Sequence, residues 1–324
     1  MKKNIAIIMG GYSSEYKISL HSGNVVYNYL NKDKFNLFRI HIFKNKWVYV
    51  DDSDKETMID RNDFSIPLNG SSIKFDCVFN AIHGSPGEDG LMQAYFELLG
   101  IKHTSCNFYQ AALTFNKRDL LSVLKPYGIK SAPSYYLNLG DEINETDIIN
   151  KVKLPCFVKA NKSGSSYGIT KVYKKEELKS AIETAYKEDD EIIIEGFLEG
   201  TEVSVGVLKL KGETTVFPIT EIVTENDFFD YEAKYEGKSQ EITPARINNS
   251  QLEKVTAVAK KIYDVLKMTG FSRSEFIFIG DDPFLLEMNT TPGLTTASIL
   301  PQQAKAAGIE LGMLFEHAIK EALS

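Results

Sequence analysis

Short apolar runs alternate with helical patterns through the first third of this 324-residue chain. Apolar runs at Asn4–Met9, Leu37–Phe43 and Cys77–Ile82 predict strands, and the stretches Leu20–Leu30 and Leu91–Leu99 predict helices. This order favours a parallel sheet covered by helices, because parallel neighbours need a long crossover connection between them. We therefore predict an α/β domain with a parallel sheet at the start of the chain.

Two polar, glycine-rich turns follow predicted strands of this sheet. They are Gly10–Glu15 and His83–Gly90. Ligands of open α/β sheets bind at the carboxyl ends of the strands, so both turns are candidate binding sites.

Beyond about Leu113 the pattern changes to that of a small α+β unit. Helices are predicted at Lys117–Leu124 and Glu176–Lys187, and strands at Cys156–Lys159, Ile169–Tyr173 and Glu191–Glu195.

Two further strands, Glu202–Lys209 and Thr215–Ile222, are followed by a charged, tyrosine-rich segment, Asp227–Thr243. This segment has neither helix nor strand period, which is typical of a lid or binding loop. A helix is predicted at Gln251–Lys267, with Ser250 and Glu253 in capping-box spacing.

Composition and charge exclude several classes of function. Lys and Arg total 37 against 44 Asp and Glu, a net charge of −7, so no overall field would attract nucleic acid or an anionic membrane. The N-terminal apolar run Ile5–Met9 is too short for a signal peptide, and no apolar stretch approaches the roughly 18 residues of a spanning helix. The three cysteines are widely spaced, which fits buried thiols in a reducing compartment. We therefore expect a cytoplasmic protein without membrane or nucleic-acid partners.

Two carboxylates interrupt the apolar strands predicted at Phe271–Ile279 and Phe284–Asn289. Glu275 lies on the first strand and Glu287 on the second. Burying carboxylates is costly unless a positive group neutralises them, and Mg²⁺ prefers carboxylate, amide and phosphate oxygens. The pattern indicates a hairpin that holds metal ions against nucleotide phosphates.

The geometry of this hairpin sets a condition on its loop. Glu275 and Glu287 fall opposite each other on one face only if the loop has an odd number of residues, for example the five of Ile279–Pro283. Arg273 shares the face of Glu275, and Asn289 shares the face of Glu287. An Arg273–Glu287 salt bridge in a plain hairpin is the alternative.

Two other segments suit a nucleotide. In Lys159–Gly168 a lysine at a strand end precedes a Gly/Ser turn whose backbone amides can converge on an anion. It is not a Walker A loop, because G-x-x-x-x-G-K-[ST] is absent and a strand follows. The strand Glu191–Glu195 runs into a connector ending at Glu202, which suits an adenine edge and ribose hydroxyls. A plain turn and a plain linker are the alternatives.

Five motifs in this order resemble the D-alanine:D-alanine ligase family of the ATP-grasp superfamily. They are Gly10-Gly11-x-Ser13-x-Glu15, His83-Gly84-x-x-Gly87-Glu88-Asp89-Gly90, Lys159 with the Gly164–Gly168 loop, Tyr231-Glu232-Ala233-Lys234-Tyr235, and Glu287-x-Asn289-Thr290-x-Pro292-Gly293-Leu294-Thr295. The resemblance spans nearly the whole chain. It implies an N-terminal parallel-sheet (pre-ATP-grasp) domain, residues 1–113, followed by an ATP-grasp fold in two subdomains, residues 114–198 and 199–324, with 227–243 as a lid loop.

The resemblance implies that ATP lies between the two ATP-grasp subdomains. The implied ATP-binding residues are Lys117, Lys159, Ser165, Ser166, Glu195, Phe197, Leu198, Glu202 and Lys234. Of these, Lys117 and Lys159 would contact the phosphates. The adenine would be held by Glu195, Phe197 and Leu198, and the ribose by Glu202. Two Mg²⁺ ions, with Mn²⁺ as a possible substitute, would be bound by Glu275, Glu287 and Asn289.

The implied reaction joins two D-alanines through an acyl phosphate, for peptidoglycan synthesis. The implied catalytic residues are Glu15, Ser165, Tyr235, Arg273 and Gly293. Arg273 and the Gly293 amide would stabilise the oxyanion, and Glu15, Ser165 and Tyr235 would form a hydrogen-bonded chain that seals the site.

The same resemblance implies how the two amino acids are held. Glu15 would bind the first ammonium, with His83 nearby, and Ser298 with Lys234 would bind the second carboxylate. A homodimer is also implied.

Four residues at three places depart from the family pattern. Glu275 stands where Asp is more usual, Asn116 precedes Lys117 where Asp is usual, and Tyr16-Lys17 replaces the usual pair after Glu15. Relatives in the family join D-alanine to D-lactate or D-serine, and the intact Glu232–Tyr235 segment favours D-alanine as the second substrate.

Two other classes are disfavoured. A nicotinamide-dependent reductase would need G-x-G-x-x-G and an acidic ribose anchor about 20 residues later, and Gly10-Gly11 provides neither. A non-catalytic nucleotide sensor would not need the complete set Lys117, Lys159, Arg273, Glu275, Glu287 and Asn289.

Overall fold

The computed structural model describes residues 2–68, 70–164, 168–224 and 239–324. Within those ranges the helices are α1 (Tyr16–Tyr29), α2 (Leu91–Leu99), α3 (Phe108–Phe115), α4 (Lys117–Leu124), α5 (Glu145–Val152), α6 (Leu178–Ala185), α7 (Asn249–Val265), α8 (Ile299–Ala306) and α9 (Leu311–Leu323). The strands are β1 (Lys3–Gly10), β2 (Phe35–Ile42), β3 (Trp47–Val50), β4 (Glu56–Met58), β5 (Ile66–Leu68), β6 (Ser71–Ile73), β7 (Cys77–Asn80), β8 (Lys102–His103), β9 (Ser134–Asn138), β10 (Cys156–Ala160), β11 (Thr170–Val172), β12 (Glu191–Gly196), β13 (Thr201–Leu210), β14 (Glu213–Val216), β15 (Thr220–Thr224), β16 (Ser239–Ile242), β17 (Ser272–Ile279) and β18 (Asp282–Asn289).

The first sheet has the strand order β4-β3-β2-β1-β7-β8. β1 pairs in parallel with β2 and β7, and β7 with β8, which confirms the predicted parallel sheet. β3 and β4 extend this sheet in antiparallel orientation. Only residues 43–46 connect β2 to β3, which is too short for the crossover that a parallel strand needs.

The second sheet, β11-β10-β12-β9, is antiparallel throughout. Helices α5 and α6 cover one of its faces, where Ile148 and Ile182 pack with Val158. Because successive side chains of a strand point to opposite faces, Phe157 and Lys159 project from the other face. The predicted α+β unit is confirmed.

The third sheet has the order β16-β15-β13-β17-β18, and β14 also pairs with β13. Helix α7 covers one face, where Val255 and Ile262 pack with Phe276. The single strand predicted at Thr215–Ile222 is wrong, because β14 and β15 lie on either side of Pro218. A proline has no N–H to donate to a neighbouring strand, so the strand ends there.

Helix α7 begins earlier than predicted. Its N-cap is Asn248, whose side-chain oxygen accepts a hydrogen bond from the Gln251 amide at 2.9 Å. Gln251 Oε1 accepts in return from the Asn248 amide at 3.1 Å. The capping box predicted from Ser250 and Glu253 is therefore wrong, since Asn248 and Gln251 already satisfy the first amides of the helix.

Helix α9 packs against the first sheet, whose strands lie far from it in the sequence. Leu314, Phe315 and Ile319 share one buried cluster with Ile5 and with Phe79 of β7. The rings of Phe79 and Phe315 meet edge to face, with their centroids 5.6 Å apart. The two ends of the described chain therefore share a core.

Cys77, Cys106 and Cys156 are buried free thiols, as predicted. No helix within the described ranges is long and apolar enough to cross a bilayer.

We expect Phe315→Ala to destabilise the protein by about 3–5 kcal/mol, because it removes a fully buried ring and leaves a cavity between α9 and the first sheet. Urea unfolding followed by tryptophan fluorescence and circular dichroism would measure the loss. Met313→Ala on the same helix is the control. That side chain is 48% exposed, and we expect a change within about 0.5 kcal/mol. Equal effects of the two substitutions would contradict the packing described here.

Candidate active site

Two adjoining cavities lie where the three larger sheets meet; the fourth sheet is the two-stranded pair β5-β6. The first encloses about 450 Å³ between the second and third sheets. The second encloses about 310 Å³ and reaches the carboxyl ends of the first sheet's strands. Both are lined by Lys117, Ser163, Gly164, Arg273 and Glu287. These shared residues form the wall between the two cavities, which we call the common wall.

The structure brings the sequence-predicted site residues together around these cavities. The first cavity is lined by Lys117, Lys159, Glu195, Phe197, Leu198, Glu202, Arg273, Glu275 and Glu287. The second is lined by Glu15, His83, Arg273, Glu287, Asn289, Gly293 and Ser298. Ser165, Ser166, Lys234 and Tyr235 lie outside the described residues. The predicted lid segment, Asp227–Thr243, is described only from residue 239, where it forms β16 and so is not wholly without regular structure.

Two lysines from different elements face the first cavity. Lys117 is the first residue of α4; its Nζ donates to the Ser163 carbonyl at 2.8 Å and lies 3.3 Å from Glu287 Oε2. Lys159 projects from β10, with its Nζ 2.9 Å from Glu195 Oε2. Burial lowers the pKa of Lys159, but Glu195 and more distant carboxylates outweigh this and raise it overall. The Lys159 side chain therefore presents positive charge to the cavity.

Asn161 fixes the relative position of these lysines. It is fully buried, and its Oδ1 accepts from the Arg118 amide at 3.0 Å. Its Nδ2 donates to Asn116 Oδ1 and to Glu191 Oε2, both at 2.8 Å. Asn116 Oδ1 also caps α4 by accepting from the Asp119 amide, so an asparagine serves at this position without the charge of an aspartate.

A β-bulge places the two glutamates opposite each other. The turn between β17 and β18 consists of Gly280 and Asp281, so the condition that opposed glutamates need an odd-numbered loop is wrong. With this two-residue turn alone, Glu275 would face Leu286 and Glu287 would point to the α7 side. The register shifts by one residue between Glu275 and the next position, and Glu287 becomes its partner. Leu286 and Glu287 consequently both line the first cavity.

Glu275 is held from two sides. Arg273 Nε donates to its Oε1 at 2.8 Å, and Ser204 Oγ donates to the same oxygen at 3.3 Å. Burial lowers the pKa of Arg273, but the nearby carboxylates of Glu275 and Glu287 raise it by more than burial lowers it. The guanidinium therefore stays charged. This network is wider than the single Arg273–Glu287 pair of a plain hairpin.

The donor set at this hairpin fits a hard cation. Glu275 Oε2 is buried and has no hydrogen-bond partner among the described residues. Asn289 Oδ1 accepts one hydrogen bond, from the Thr291 amide at 3.0 Å, which leaves a second lone pair. No group of three or more His, Cys, Asp or Glu side chains within the described ranges could hold a metal by itself. Two carboxylates and an amide suit Mg²⁺, which keeps water and phosphate oxygens as its other ligands.

Glu15 enters the second cavity from the start of α1. Its side chain makes no capping hydrogen bond to the first turn of that helix. A Cβ on Gly164 would lie 3.0 Å from Glu15 Oε2, and a Cβ on Gly84 would lie 3.3 Å from the same atom. Two glycine-containing loops therefore lie close to this carboxylate, and a side chain at either glycine would crowd it.

Gly293 and Ser298 approach each other closely in the same cavity. A Cβ on Gly293 would lie 2.7 Å from Ser298 Oγ, so no larger residue fits there without displacing the serine. Ser298 Oγ accepts from the Thr295 amide at 3.2 Å, which fixes the hydroxyl at the start of α8.

Both ring nitrogens of His83 are engaged within the protein. Nδ1 lies 2.9 Å from the Thr291 carbonyl, and Nε2 lies 3.0 Å from Ser22 Oγ. Burial lowers the pKa of His83, although Glu15 opposes this effect. The imidazole is therefore neutral near pH 7.

Glu88 belongs to a motif that the sequence singled out, but its role was missed. Its Oε2 accepts from the Gly84 amide at 2.9 Å, and its Oε1 accepts from the Thr291 amide at 3.4 Å. Burial, and to a smaller extent Glu15, raises the pKa of Glu88 to about 8. This carboxyl joins the turn after β7 to the segment after β18.

Other lining residues were also missed by sequence reasoning. Phe157 lines the first cavity beside Phe197, and its position two residues before Lys159 could have revealed it. Glu241 lines the second cavity, and Gln302 Nε2 donates to its Oε2 at 3.1 Å. Nothing in the local sequence distinguishes Glu241 or Ser22 from ordinary strand and helix residues.

Two protein-family models match this chain. The model described as D-ala D-ala ligase N-terminus matches residues 4–106, and the model described as D-ala D-ala ligase C-terminus matches residues 123–320.

Individual relatives match over nearly the whole length. A D-alanine–D-alanine ligase from Flavobacterium johnsoniae is 72% identical, covering 99% of this chain and 100% of the relative. Among solved structures, the VanG D-Ala:D-Ser ligase from Enterococcus faecalis has a TM-score of 0.87 at 32% identity, covering 99% of this chain and 100% of that one. The D-alanine–D-alanine ligase from Bacillus anthracis complexed with ATP has a TM-score of 0.80 at 28% identity, covering 99% and 97%.

Glu88→Gln should change how stability depends on pH. The pKa of Glu88 is about 8 in the folded protein and near 4.5 in an unfolded chain. Between these values the folded state keeps a proton that the unfolded state loses, so wild-type stability falls as pH rises. We expect the free energy of unfolding of the wild type to decline from about pH 5 to 8, relative to Glu88→Gln, by up to about 1.4 kcal/mol per pH unit. Urea unfolding of both proteins across this range measures the difference, and parallel curves would contradict the assignment.

Proposed function

The chain belongs to the D-alanine–D-alanine ligase family, and from that membership we propose which of its residues carry the reaction. It has the ATP-grasp fold and is an ATP-dependent ligase that joins two D-alanines into D-alanyl-D-alanine, for peptidoglycan synthesis. The observation that carries the assignment of roles is the common wall, where Lys117, Arg273 and Glu287 face both cavities. A reaction that transfers a phosphoryl group from one bound molecule to another needs adjoining sites with charged groups that face both molecules.

We assign the first cavity to ATP. Lys117 and Lys159 bind its phosphates, which would draw them away from the carboxylates that they contact here. The loop with Ser165 and Ser166 closes over the same phosphates, and Lys234 of the lid also contacts ATP.

The adenine end of the nucleotide lies against the second sheet. Glu195, Phe197 and Leu198 hold the adenine, and Glu202 binds the ribose hydroxyls. Glu195 Oε1 is buried without a hydrogen-bond partner among the described residues, which suits an acceptor for the exocyclic amine.

We assign Glu275, Glu287 and Asn289 to two Mg²⁺ ions, for which Mn²⁺ is a possible substitute. When bound, the ions neutralise charge on the transferring phosphoryl group. The longer Glu275 carries its carboxylate to the site while Arg273 and Ser204 hold it.

The reaction begins in the second cavity. Glu15 binds the ammonium of the first D-alanine, with His83 nearby, and the D-alanine carboxylate attacks the γ-phosphorus of ATP. ADP leaves, and the carboxylate becomes an acyl phosphate. Because a carboxylate is a poor acyl donor, this activation must precede bond formation.

The second D-alanine completes the reaction. Ser298 and Lys234 bind its carboxylate, and its free amine attacks the carbonyl carbon of the acyl phosphate. Arg273 and the Gly293 amide stabilise the oxyanion of the tetrahedral intermediate, which then expels phosphate while the attacking nitrogen loses a proton.

The lid protects the acyl phosphate from water. Glu15, Ser165 and Tyr235 form a hydrogen-bonded chain across three segments, and the 227–243 segment closes the site. The approach of Gly164 to Glu15 supports this arrangement, because Ser165 is the next residue.

The family membership also implies how the chain divides into domains. We propose domains at residues 1–113, 114–198 and 199–324, and each of the three sheets lies within one of these ranges. A homodimer and a cytoplasmic location also belong to the proposal. The three buried free thiols support the latter, since they suit a reducing compartment.

Purified protein with ATP and Mg²⁺ should release phosphate when D-alanine is added, but not with L-alanine. With D-lactate or D-serine beside D-alanine, we expect the mixed products to form at least about 10-fold more slowly than the dipeptide. Phosphate assays and mass spectrometry of the products measure both. No D-alanine-dependent release would contradict the function, and a predominant mixed product would assign the chain to a D-lactate or D-serine ligase.

Glu275→Asp should raise the Mg²⁺ concentration that gives half-maximal activity, by about 10-fold. The shorter side chain withdraws the carboxylate from the cavity, because Arg273 and Ser204 are positioned for glutamate. Glu253→Asp, on the exposed surface of α7, is the control and should leave the titration unchanged. An unchanged half-saturation in Glu275→Asp would contradict this role.

A further inference from the structure

Hydrogen bonds hold the backbone on both sides of Gly293. They come from one side chain after strand β7 and one side chain of helix α1. On one side, the Thr291 carbonyl lies 2.9 Å from His83 Nδ1. On the other side, the Leu294 amide donates to Ser22 Oγ at 3.4 Å. Ser22 Oγ is itself 3.0 Å from His83 Nε2, so these contacts form one chain of hydrogen bonds.

The direction of every proton in this chain follows from the chemistry of its ends. A backbone carbonyl can only accept, so His83 Nδ1 carries a proton and donates it to Thr291. In the neutral imidazole Nε2 then accepts, and Ser22 must donate its hydroxyl proton to it. The Ser22 oxygen is left as an acceptor, which is the role that the Leu294 amide requires.

We propose that Ser22 is a positioning residue which, together with His83 as the Nδ1-protonated tautomer, fixes the direction of the Gly293 N–H. This inference rests on the proposed function, in which that amide stabilises the oxyanion. Ser22 does not itself line either cavity, so it acts only through the groups that it holds.

Such hydrogen bonds matter because the stabilisation of an oxyanion depends strongly on the direction of the donor. A donor works only if it points to the place where charge develops, and a small misplacement reduces the rate strongly. Pro292 and Gly293 lie between the Thr291 carbonyl and the Leu294 amide. Hydrogen bonds to these two groups therefore set the orientation of the peptide between Pro292 and Gly293. Glu88 adds a third contact, to the Thr291 amide at 3.4 Å.

The same geometry refines the role of His83. With both ring nitrogens engaged inside the protein, neither is available to a bound D-alanine. His83 lies beside the first substrate and holds the segment that carries the oxyanion donor.

Ser22→Ala removes the donor to His83 and the acceptor for Leu294. We expect kcat to fall about 10- to 100-fold, with the KM values for ATP and D-alanine within about threefold of wild type. This split distinguishes a misdirected transition-state donor from a general loss of structure, which would lower the active fraction and stability together.

Two further variants control for stability. Ser65→Ala removes another buried serine hydroxyl, one that donates to Asp63 at 2.6 Å away from both cavities, and should keep the wild-type kcat. Ser22→Cys keeps the volume with a much weaker donor, so it should lower kcat even if Ser22→Ala does not fold. A wild-type kcat in folded Ser22→Cys would overturn the proposal.

Nitrogen-15 NMR of histidine-labelled protein reads the tautomer without any assay of activity. His83, identified by the signals lost in His83→Gln, should show a protonated Nδ1 and an unprotonated Nε2, and Ser22→Ala should shift the Nε2 signal. The opposite tautomer in the wild type would overturn the inference. A wild type inactive with D-alanine would contradict the proposed function instead, whereas an active wild type with an unchanged Ser22→Ala would overturn only the role of Ser22.

Discussion

Neutralisation of charge around the common wall is the constraint on which the rest of the structure depends. Three cations meet three carboxylates there in the pairs Lys117–Glu287, Lys159–Glu195 and Arg273–Glu275. Burying so many charges adds little stability, because desolvation offsets most of the attraction between them. Under the proposed function the opposite charges hold one another in place, and a polyphosphate with its metal ions would replace some of the pairs.

Each sheet contributes one part of this surface, so the site exists only where all three meet. The first supplies the turns with Glu15 and His83, the second supplies Lys159, and the third supplies the hairpin of Arg273 and Glu287. Small backbone irregularities set the final positions. The bulge at Leu286 is one example, because a single extra residue turns Glu287 from the packed face of the sheet to the cavity.

The sequence predicted much of this, but unevenly. Helices with a clear apolar period and a cap at their start, such as Lys117–Leu124, were found with their observed bounds. Register was not, because it depends on the turn between β17 and β18 and on a bulge that has no residue signature. The start of α7 was misplaced because two capping patterns overlap in Asn248–Glu253. Of the candidate site, many of the charged residues were predicted from motifs and strand pattern, but Glu241 was missed. Ser22 was missed because its contact with Leu294 spans 272 positions of the sequence.

The packing of α9 on the first sheet bears on the order in which the protein can fold during its synthesis. Ile5 of β1 and Phe315 of α9 belong to one buried cluster, although 310 positions separate them in the sequence. Until α9 has been made, helix α1, with Val26 and Leu30, covers the inner face of β1 only in part, and some of its apolar side chains stay in contact with water. The N-terminal part therefore cannot complete its core as an independent unit ahead of the rest, as early domains usually do. The ribosome must therefore translate the whole candidate site before β1, the first strand of the chain, can pack against α9.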